Sequence, residues 1–206
     1  MSFLIGADPE LFLKKNGKFI SVEDNSGPLI PGTKENPFPV KGGALQVDGV
    51  AAEINVDPQD NFKGFVTNIK SVLTELKARL DPVIHLTPEP TATFETTYFF
   101  SLPKHTLELG CNPDFNAYKN GEPNPRPQTD KPFRTGSGHI HIGWTNNADI
   151  SYEGHIMDCC LLTKQLDKYL LTASYDWDED EQRRELYGLP GSFRPKKYGM
   201  EYRPLS

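Results

Sequence analysis

The fold expected for this chain depends on one stretch, Arg134-Thr-Gly-Ser-Gly-His139-Ile-His141-Ile-Gly143. Side chains alternate on a β-strand, so His139 and His141 point to one face and the isoleucines beside them point to the other. Neutral imidazole is a common metal ligand, and a pair of hydrogen-bonded histidines on a solvated strand is the plain alternative. The stretch therefore predicts a strand with a buried apolar face and an imidazole-bearing face.

A second alternating pair, Asp8 and Glu10, lies in the apolar segment Leu4-Ile-Gly-Ala-Asp8-Pro-Glu10-Leu-Phe-Leu13. Pro9 separates the two acids, so we expect an edge strand or a strand that begins at the proline. The alternative is a solvated edge, where acids discourage pairing with other chains.

A third strand is predicted over residues 45–56, with Glu53 and Asn55 on one face. An acid in such an apolar run is expected to be buried with a partner. Asp48 is five residues from Glu53, so a regular strand would place it on the opposite face. It joins the site only if Gly49 forms a bulge.

The fourth pair, Glu201 and Arg203, alternates near the C-terminus, with a simple cross-strand ion pair as the alternative. A common metal site explains all four segments together, whereas separate surface roles do not. We therefore predict that four distant strands bring their acids and histidines to one face.

Length and composition are consistent with one compact, enzyme-sized domain over residues 1–206. The net charge of −6 argues against a broad nucleic-acid-binding face. No run of eighteen apolar residues and no signal-peptide pattern occur, so a cytoplasmic protein is expected. The cysteines, Cys111, Cys159 and Cys160, form no Cys-x-x-Cys motif and are expected to be reduced thiols.

Apolar periodicity predicts helices over about 58–80, capped by Asp57, and over about 152–172. The stripe of the first helix includes Phe62. The stripe of the second comprises Ile156, Met157, Cys160, Leu161, Leu166, Tyr169 and Leu170. Strands are predicted near 3–13, 17–22, 44–56, 83–86, 93–100, 105–110, 138–144 and 198–204. This order indicates an α+β fold with helices on one face of the sheet. The proline-rich segments 25–43 and 111–132 are expected to be substrate-covering flaps or surface connectors.

Five motifs occur in a fixed order: Gly6-Ala-Asp8-Pro-Glu10, Val47-Asp48-Gly-Val-Ala-Ala-Glu53-Ile-Asn55, Gly110-Cys-Asn-Pro-Asp114, the stretch from Arg134 to Gly143, and Tyr187-Gly-Leu-Pro-Gly-Ser-Phe-Arg194-Pro-Lys-Lys-Tyr-Gly-Met-Glu201-Tyr-Arg203. Together they resemble the phage-type carboxylate–amine ligases (amidoligases), relatives of glutamine synthetase and glutamate–cysteine ligase, over positions 3 to 204. The resemblance implies a curved antiparallel sheet, a funnel with helices packed on its convex face. Its concave face would hold two or three magnesium ions, or manganese, together with ATP.

The resemblance also implies roles for individual residues. The implied metal ligands are Asp8, Glu10, Glu53, Glu201 and one of His139 and His141. The implied phosphate-binding residues are Arg194 and Arg203, and Arg134 and Arg184 lie in similar motifs. Arg194 and Arg203 would also act in catalysis, and Asp48 and Asp114 are candidates to take a proton from the attacking amine.

The residue types are consistent with this chemistry. ATP would transfer its γ-phosphoryl group to a carboxylate, and an amine would displace phosphate from the acyl phosphate. Such transfer needs positioning and charge neutralisation, and magnesium prefers oxygen ligands. No G-x-x-x-x-G-K-[ST] motif occurs, so ATP is not held as in P-loop enzymes. No serine or cysteine nucleophile motif is found either.

Two other classes stay open. A cupin-like metalloprotein also uses His-x-His on a strand, although His155 is the only histidine downstream here. A non-catalytic phage-associated binding protein could keep the same fold. The sequence leaves open small-molecule, peptide or protein substrates and a homo-oligomeric state. A phage-encoded chain would act in the host cytoplasm, and its stop soon after Arg203 predicts a truncated chain or reduced C-terminal packing.

Overall fold

A computed structural model describes residues 3–109, 114–184 and 186–206. It has the predicted α+β class, and in these ranges twelve strands form one antiparallel sheet. Two further strand pairs lie outside this sheet. Within the described residues, no helix combines the length and the apolar character that crossing a membrane requires.

The strands are β1 (Leu4–Ala7), β2 (Glu10–Lys15), β3 (Lys18–Ile20), β4 (Glu23–Asp24), β5 (Gly27–Pro28), β6 (Phe38–Val40), β7 (Gly43–Asp48), β8 (Ala51–Gln59), β9 (Ile84–Thr87), β10 (Thr91–Thr93), β11 (Phe115–Asn116), β12 (Glu122–Pro123), β13 (Phe133–Thr135), β14 (Ile140–Gly143), β15 (Ser192–Lys196) and β16 (Gly199–Tyr202). The helices are α1 (Phe62–Lys77), α2 (Thr96–Ser101), α3 (Glu153–Leu166), α4 (Thr172–Ser174) and α5 (Glu181–Arg184). Short 3₁₀ turns cover Lys104–Leu107 and Ala117–Lys119, and a π-helical turn covers Asp167–Leu171.

The predicted site strands are neighbours in the main sheet, in the order β15, β16, β14, β1, β8 and β2. The register places His141 opposite Glu201 on one side and opposite Gly6 on the other. It also places Glu10 opposite Glu53. Because opposed residues in an antiparallel pair share a face, these side chains project from the same side of the sheet.

Asp48 reaches that face through a hairpin, which corrects the predicted single strand over 44–56. The chain reverses at Gly49 and Val50, and Asp48 then pairs with Ala51 while Gln46 pairs with Glu53. Gly49 has a φ of +56°, a backbone conformation that strains other residues. The expected bulge is therefore wrong, because the Asp-Gly pair marks a two-residue turn.

The opposite face of the sheet carries the apolar core and the two long helices. In one cluster Val72 and Leu76 of α1 pack with Leu45 and Ile54. In another, Cys159 of α3 lies with Ile142, Met200 and Tyr202. These sheet residues alternate with the site residues, so each strand separates a packed face from a polar one.

The first helix begins later than predicted, and Asp57 does not cap it. Strand β8 continues to Gln59, and Asn61 is the cap, accepting a hydrogen bond from the Gly64 amide at 2.8 Å. Phe62, expected in the core, is 83% exposed because it lies at the first helical position, away from the sheet.

The second helix packs only part of the predicted stripe against the sheet: Cys160 is buried, and Ile156, Leu166 and Leu170 pack beside it. Met157, Leu161 and Tyr169 are exposed. The buried face also carries residues such as Thr163 and Asp167, and Asp167 accepts hydrogen bonds from the Tyr202 hydroxyl and the Gly191 amide. Polar side chains with buried partners thus share the buried face with the apolar residues of the predicted stripe.

The strand predicted over 93–100 is also wrong. Residues Thr96–Ser101 form α2, because Glu95 caps the segment by accepting hydrogen bonds from the Thr97 and Tyr98 amides. The strand predicted over 105–110 overlaps the 3₁₀ turn Lys104–Leu107, and residue 110 lies outside the described residues. Aromatic and β-branched residues favour strands in general, but here the local cap selects a helix.

Candidate metal and phosphate site

The polar face of the sheet lines a cavity of about 500 Å³. Ten of the predicted site residues line it: Asp8, Glu10, Asp48, Glu53, Arg134, His139, His141, Arg194, Glu201 and Arg203. Of the others, Asp114 contacts two of the lining arginines from outside the lining set. Segments far apart in the sequence thus meet in one cavity, as predicted.

Three carboxylates form what we call the tri-carboxylate cluster: Glu10, Asp48 and Glu53. One oxygen of each lies within 4.8 Å of the others. Burial, together with the charges of Asp48 and Asp8, raises the pKa of Glu10 to about 8. Burial and the charges of Asp8, Asp48 and Glu10 raise the pKa of Glu53 well above its ordinary value. Such crowding of like charges is costly without a cation.

A second set of donors forms the histidine cluster: Asp8, His139 and Glu201. Their ligand atoms also lie within 4.8 Å of one another. His139 Nδ1 is 3.4 Å from both Asp8 Oδ1 and Glu201 Oε1. Glu201 is 1% exposed. Asp8 and Glu10 thus belong to different clusters although only Pro9 separates them.

His139 has the protonation state that a metal ligand requires. Burial and the nearby Arg203 charge lower its pKa to about 4, against the opposing effect of Asp8. Arg203 Nη1 lies 3.2 Å from His139 Nδ1. A guanidinium can only donate, so Nδ1 is the acceptor in this contact and carries a lone pair.

His141 is held at the edge of the cavity. Its Nε2 is 2.9 Å from Asp8 Oδ2, and its Nδ1 contacts the Tyr198 hydroxyl. Burial alone would raise the pKa of Asp8, but the two neighbouring histidines, His139 above all, outweigh it and lower that pKa. His141 therefore orients a cluster carboxylate and lies outside the three-donor group.

Cationic side chains surround Glu201. Lys196 Nζ is 2.8 Å from Glu201 Oε2, Arg203 Nη1 contacts Oε1, and Arg194 Nη1 is 3.6 Å from Oε1. Burial and the neighbouring Arg194 charge lower the pKa of Lys196 to about 8. Asp114 holds both arginines, with its Oδ1 2.5 Å from Arg203 Nε and 3.5 Å from Arg194 Nη2. These groups can bind an anion beside the carboxylates.

Arg134 and Arg184, both expected to bind phosphate, have other partners. The Arg134 guanidinium is buried, donates to the Phe133 carbonyl at 2.7 Å and lies over the Phe99 ring. Arg184 donates to the Asp178 carbonyl at 2.6 Å and lies over Tyr175. Arg184 is absent from the cavity lining in the described part of the chain, so the structure does not bring it to the site.

The neighbouring Arg183, which sequence reasoning missed, is 1% exposed and lines the cavity. Its guanidinium donates to the carbonyls of Gly136, Pro204 and Leu205 at 2.8, 3.0 and 2.6 Å. It thereby fastens the C-terminal residues to the segment that leads into His139. The expected reduced packing is therefore wrong for the last residues of the chain.

Lys34, Lys196 and Tyr198 were also missed, because none belongs to an alternating acidic pattern. Lys34 lies in the first proline-rich segment, and its Nζ is 2.7 Å from Asp48 Oδ1. This segment does contribute to the cavity, through Lys34 and Pro37. Among residues 114–132 of the second segment, none lines it, and residues 111–113 lie outside the described residues.

His155, Cys159 and Cys160 lie away from the site. His155 Nε2 is 3.1 Å from the Lys196 carbonyl, in the core beneath the other face of the sheet. A cupin-like ligand set that includes His155 is therefore not formed. Cys159 and Cys160 are buried free thiols, and burial raises the pKa of Cys159 to about 12. Cys111 lies outside the described residues.

No protein-family model, curated protein or solved structure matches the chain. The assignment to carboxylate–amine ligases therefore stays a prediction, and the functional argument depends on the geometry of the cavity.

The donors are suited to hard divalent cations. Asp8 Oδ1 is buried and has no hydrogen-bond partner among the described residues. Each cluster offers three ligand atoms, mostly carboxylate oxygens, which magnesium and manganese prefer. Both clusters therefore fit the metal ions that the resemblance implies.

Proposed function

We propose that the protein is an ATP- and magnesium-dependent ligase that joins a carboxylate to an amine through an acyl phosphate. The observation that carries the proposal is the presence of two oxygen-rich donor clusters and three anion-binding cations in one cavity. The cations are Arg194, Lys196 and Arg203. We further propose that the sheet curves into the funnel of the resembled family, with helices on its convex side.

The substrates in this proposal are ATP, a carboxylate and an amine. Magnesium, held by the tri-carboxylate cluster and the histidine cluster, would neutralise phosphate charge. Arg203 and Arg194 orient the phosphoryl group that moves, because their guanidinium groups are fixed by Asp114 and aimed beside Glu201. Fixed cations at the site of developing charge stabilise a phosphoryl-transfer transition state.

The two carboxylates expected to take the proton from the amine have other roles in this geometry. Asp48 belongs to the tri-carboxylate cluster, and Asp114 is ion-paired with two arginines. We therefore assign Asp48 to cation binding and Asp114 to holding the arginines in position.

The test is an isotope-transfer experiment. A panel of ¹⁸O-labelled amino acids and other carboxylates is incubated with ATP, magnesium and an amine, and ADP and phosphate are measured. An acyl-phosphate route moves one ¹⁸O atom from the carboxylate to inorganic phosphate, since the acyl–oxygen bond breaks when the amine attacks. AMP and pyrophosphate as products would refute the proposed route. Cation binding without turnover for any pair would favour the non-catalytic alternative.

Arg203→Lys and Glu75→Gln are the informative variants. Arg203→Lys keeps the charge but removes two-point binding of phosphate oxygens, and should slow turnover strongly. Glu75 lies on α1, 40% exposed and paired with Arg79, so its variant should turn over ATP like the parent protein.

A further inference from the structure

Lys34 lies where its ammonium would compete with a bound cation for the Asp48 carboxylate. Its ammonium is 2.7 Å from Asp48 Oδ1, and the Asp48 carboxylate is one of the three donors of the tri-carboxylate cluster. The side chain is 52% exposed, whereas that of Asp48 is 26% exposed. An ammonium thus reaches the cluster from the solvent side of the cavity.

The segment that carries Lys34 is built onto the strand that carries Asp48. The Val47 amide donates to the Gly32 carbonyl at 3.1 Å. A Cβ atom on Gly32 would lie 2.1 Å from the Leu45 carbonyl oxygen, so the segment touches the β7 backbone. Thr33 and Asn36 exchange backbone hydrogen bonds at 3.2 Å around Lys34. The lysine is therefore delivered to Asp48 by an ordered turn.

We propose that Lys34 is a tethered counter-ion that a divalent cation displaces from Asp48, and that the released ammonium then binds an anionic ligand in the same cavity. A divalent cation held by the cluster would lie close to the ammonium on Asp48 and repel it, so cation binding moves the ammonium away. The cavity also contains Arg194, Lys196 and Arg203, so a polyphosphate group is the anion that this set of cations fits.

This inference rests on the cation-binding part of the proposed function and is independent of amide-bond formation. Its first test is the affinity of the full chain for Mn²⁺, measured by electron paramagnetic resonance of the free ion at pH 7.5. Lys34→Met should lower the dissociation constant roughly three- to tenfold, because it removes a competing charge from a partly exposed pair. Lys34→Arg keeps the charge and should stay within about twofold of the parent protein.

Lys41→Met is the matched control. Lys41 is exposed in the turn between β6 and β7, outside the cavity lining, and its loss changes the net charge equally. An equal gain in Mn²⁺ affinity for Lys34→Met and Lys41→Met would show that the effect comes from the change in net charge. It would overturn the inference. So would an unchanged or weaker Mn²⁺ affinity for Lys34→Met, provided that its melting temperature in EDTA matches the parent protein. If Lys34→Met has a lower melting temperature than the parent protein, Lys34→Gln replaces it in the same test.

The second test uses inorganic triphosphate with Mn²⁺ at saturation. Lys34→Met should bind triphosphate roughly tenfold more weakly than the parent protein, and Lys34→Arg should bind it comparably. Unchanged triphosphate affinity would overturn the inference that the ammonium released from Asp48 binds the anion. Absence of Mn²⁺ binding by the parent protein would overturn both this inference and the cation sites, whereas Mn²⁺ binding without ATP turnover would refute only the ligase proposal.

Discussion

Glu10→Gln should change how the stability of the metal-free protein depends on pH. The pKa of Glu10 is raised from 4.5 to about 8 by burial and by the charges of Asp48 and Asp8. A carboxyl group whose pKa is raised on folding stabilises the folded state below its unfolded pKa. That stabilisation is lost as pH rises through the folded pKa.

The range from pH 6.5 to about 8 contains most of this effect. His139, with its pKa lowered to about 4, is neutral in the folded state, and the remaining titration of the unfolded imidazole above pH 6.5 opposes the Glu10 effect by less than about 0.5 kcal/mol. Lys196, with its pKa lowered to about 8, is mostly protonated in both states below that pH. Glu53 has a raised pKa and acts in the same direction as Glu10.

The expected loss of stability follows from the linkage between proton binding and folding. Between pH 6.5 and 8 the unfolded Glu10 is fully ionised, whereas the folded one keeps much of its proton. At about 1.4 kcal/mol per pKa unit, Glu10 alone lowers the free energy of unfolding by about 1.5 kcal/mol over this range. For a domain of this size that corresponds to a fall of about 3 to 6 °C in melting temperature.

The assay is urea denaturation and thermal melting in EDTA at pH 6.5, 7.2 and 8. The parent protein should lose stability with rising pH, and Glu10→Gln should lose clearly less, because it removes one titrating group and its repulsion of Glu53. Glu75→Gln, on the exposed face of α1, should follow the parent protein. A parent protein with constant stability across this range, or the same slope in Glu10→Gln, would refute the reasoning.

Three further outcomes are expected. Arg203→Ala should reduce ATP turnover by about a hundredfold or more while circular dichroism keeps the parent signal; normal turnover would remove Arg203 from the phosphate site. Arg183→Lys should lower the free energy of unfolding by about 3 kcal/mol in urea, since three buried carbonyls lose their shared donor; a loss below about 0.5 kcal/mol would contradict its structural role. Asn61→Ala should lower the free energy of unfolding by about 1 kcal/mol, because it removes the α1 cap. Urea denaturation measures this loss, and an unchanged curve would mean that another group caps the helix.

Alternation in the sequence was enough to place most of the site. His139 and His141 face the polar side because Ile142 is needed in the core, and the same logic placed Glu53 and Glu201. A period of two gives the face of each side chain without depending on distant contacts. That these strands lie next to one another was predicted only from the expectation that one shared site explains all four segments.

Reversals of the chain were harder to foresee. The alternation changes phase between Asp48 and Glu53, so the pattern indicates an irregularity near Gly49 but does not distinguish a bulge from a hairpin turn. The Asp-Gly pair was the available signal. Glu95 likewise caps the aromatic segment Thr96–Ser101 and makes it a helix. Strand propensities do not take such local hydrogen bonds into account.

Single residues outside any pattern could not be found from the sequence. Lys34 and Arg183 belong to no motif, and each acquires its role from a partner far along the chain. Arg184 was chosen instead of Arg183 because adjacent arginines in a short helix are indistinguishable until its packing is known. The sequence identified the donors of the site together with Arg194 and Arg203, whereas the lysines Lys34 and Lys196 required the fold.

The Asp8-Pro9-Glu10 segment places one ligand in each cluster. Consecutive side chains on the same face of an extended chain repeat at about 6.6 Å, so covalent geometry limits how far apart the two sets of donors can drift. Loop remodelling or helix shifts elsewhere would leave that spacing intact. Inserting or deleting one residue here, by contrast, would turn one carboxylate toward the apolar core and disrupt both clusters, so this tripeptide tolerates no change in length.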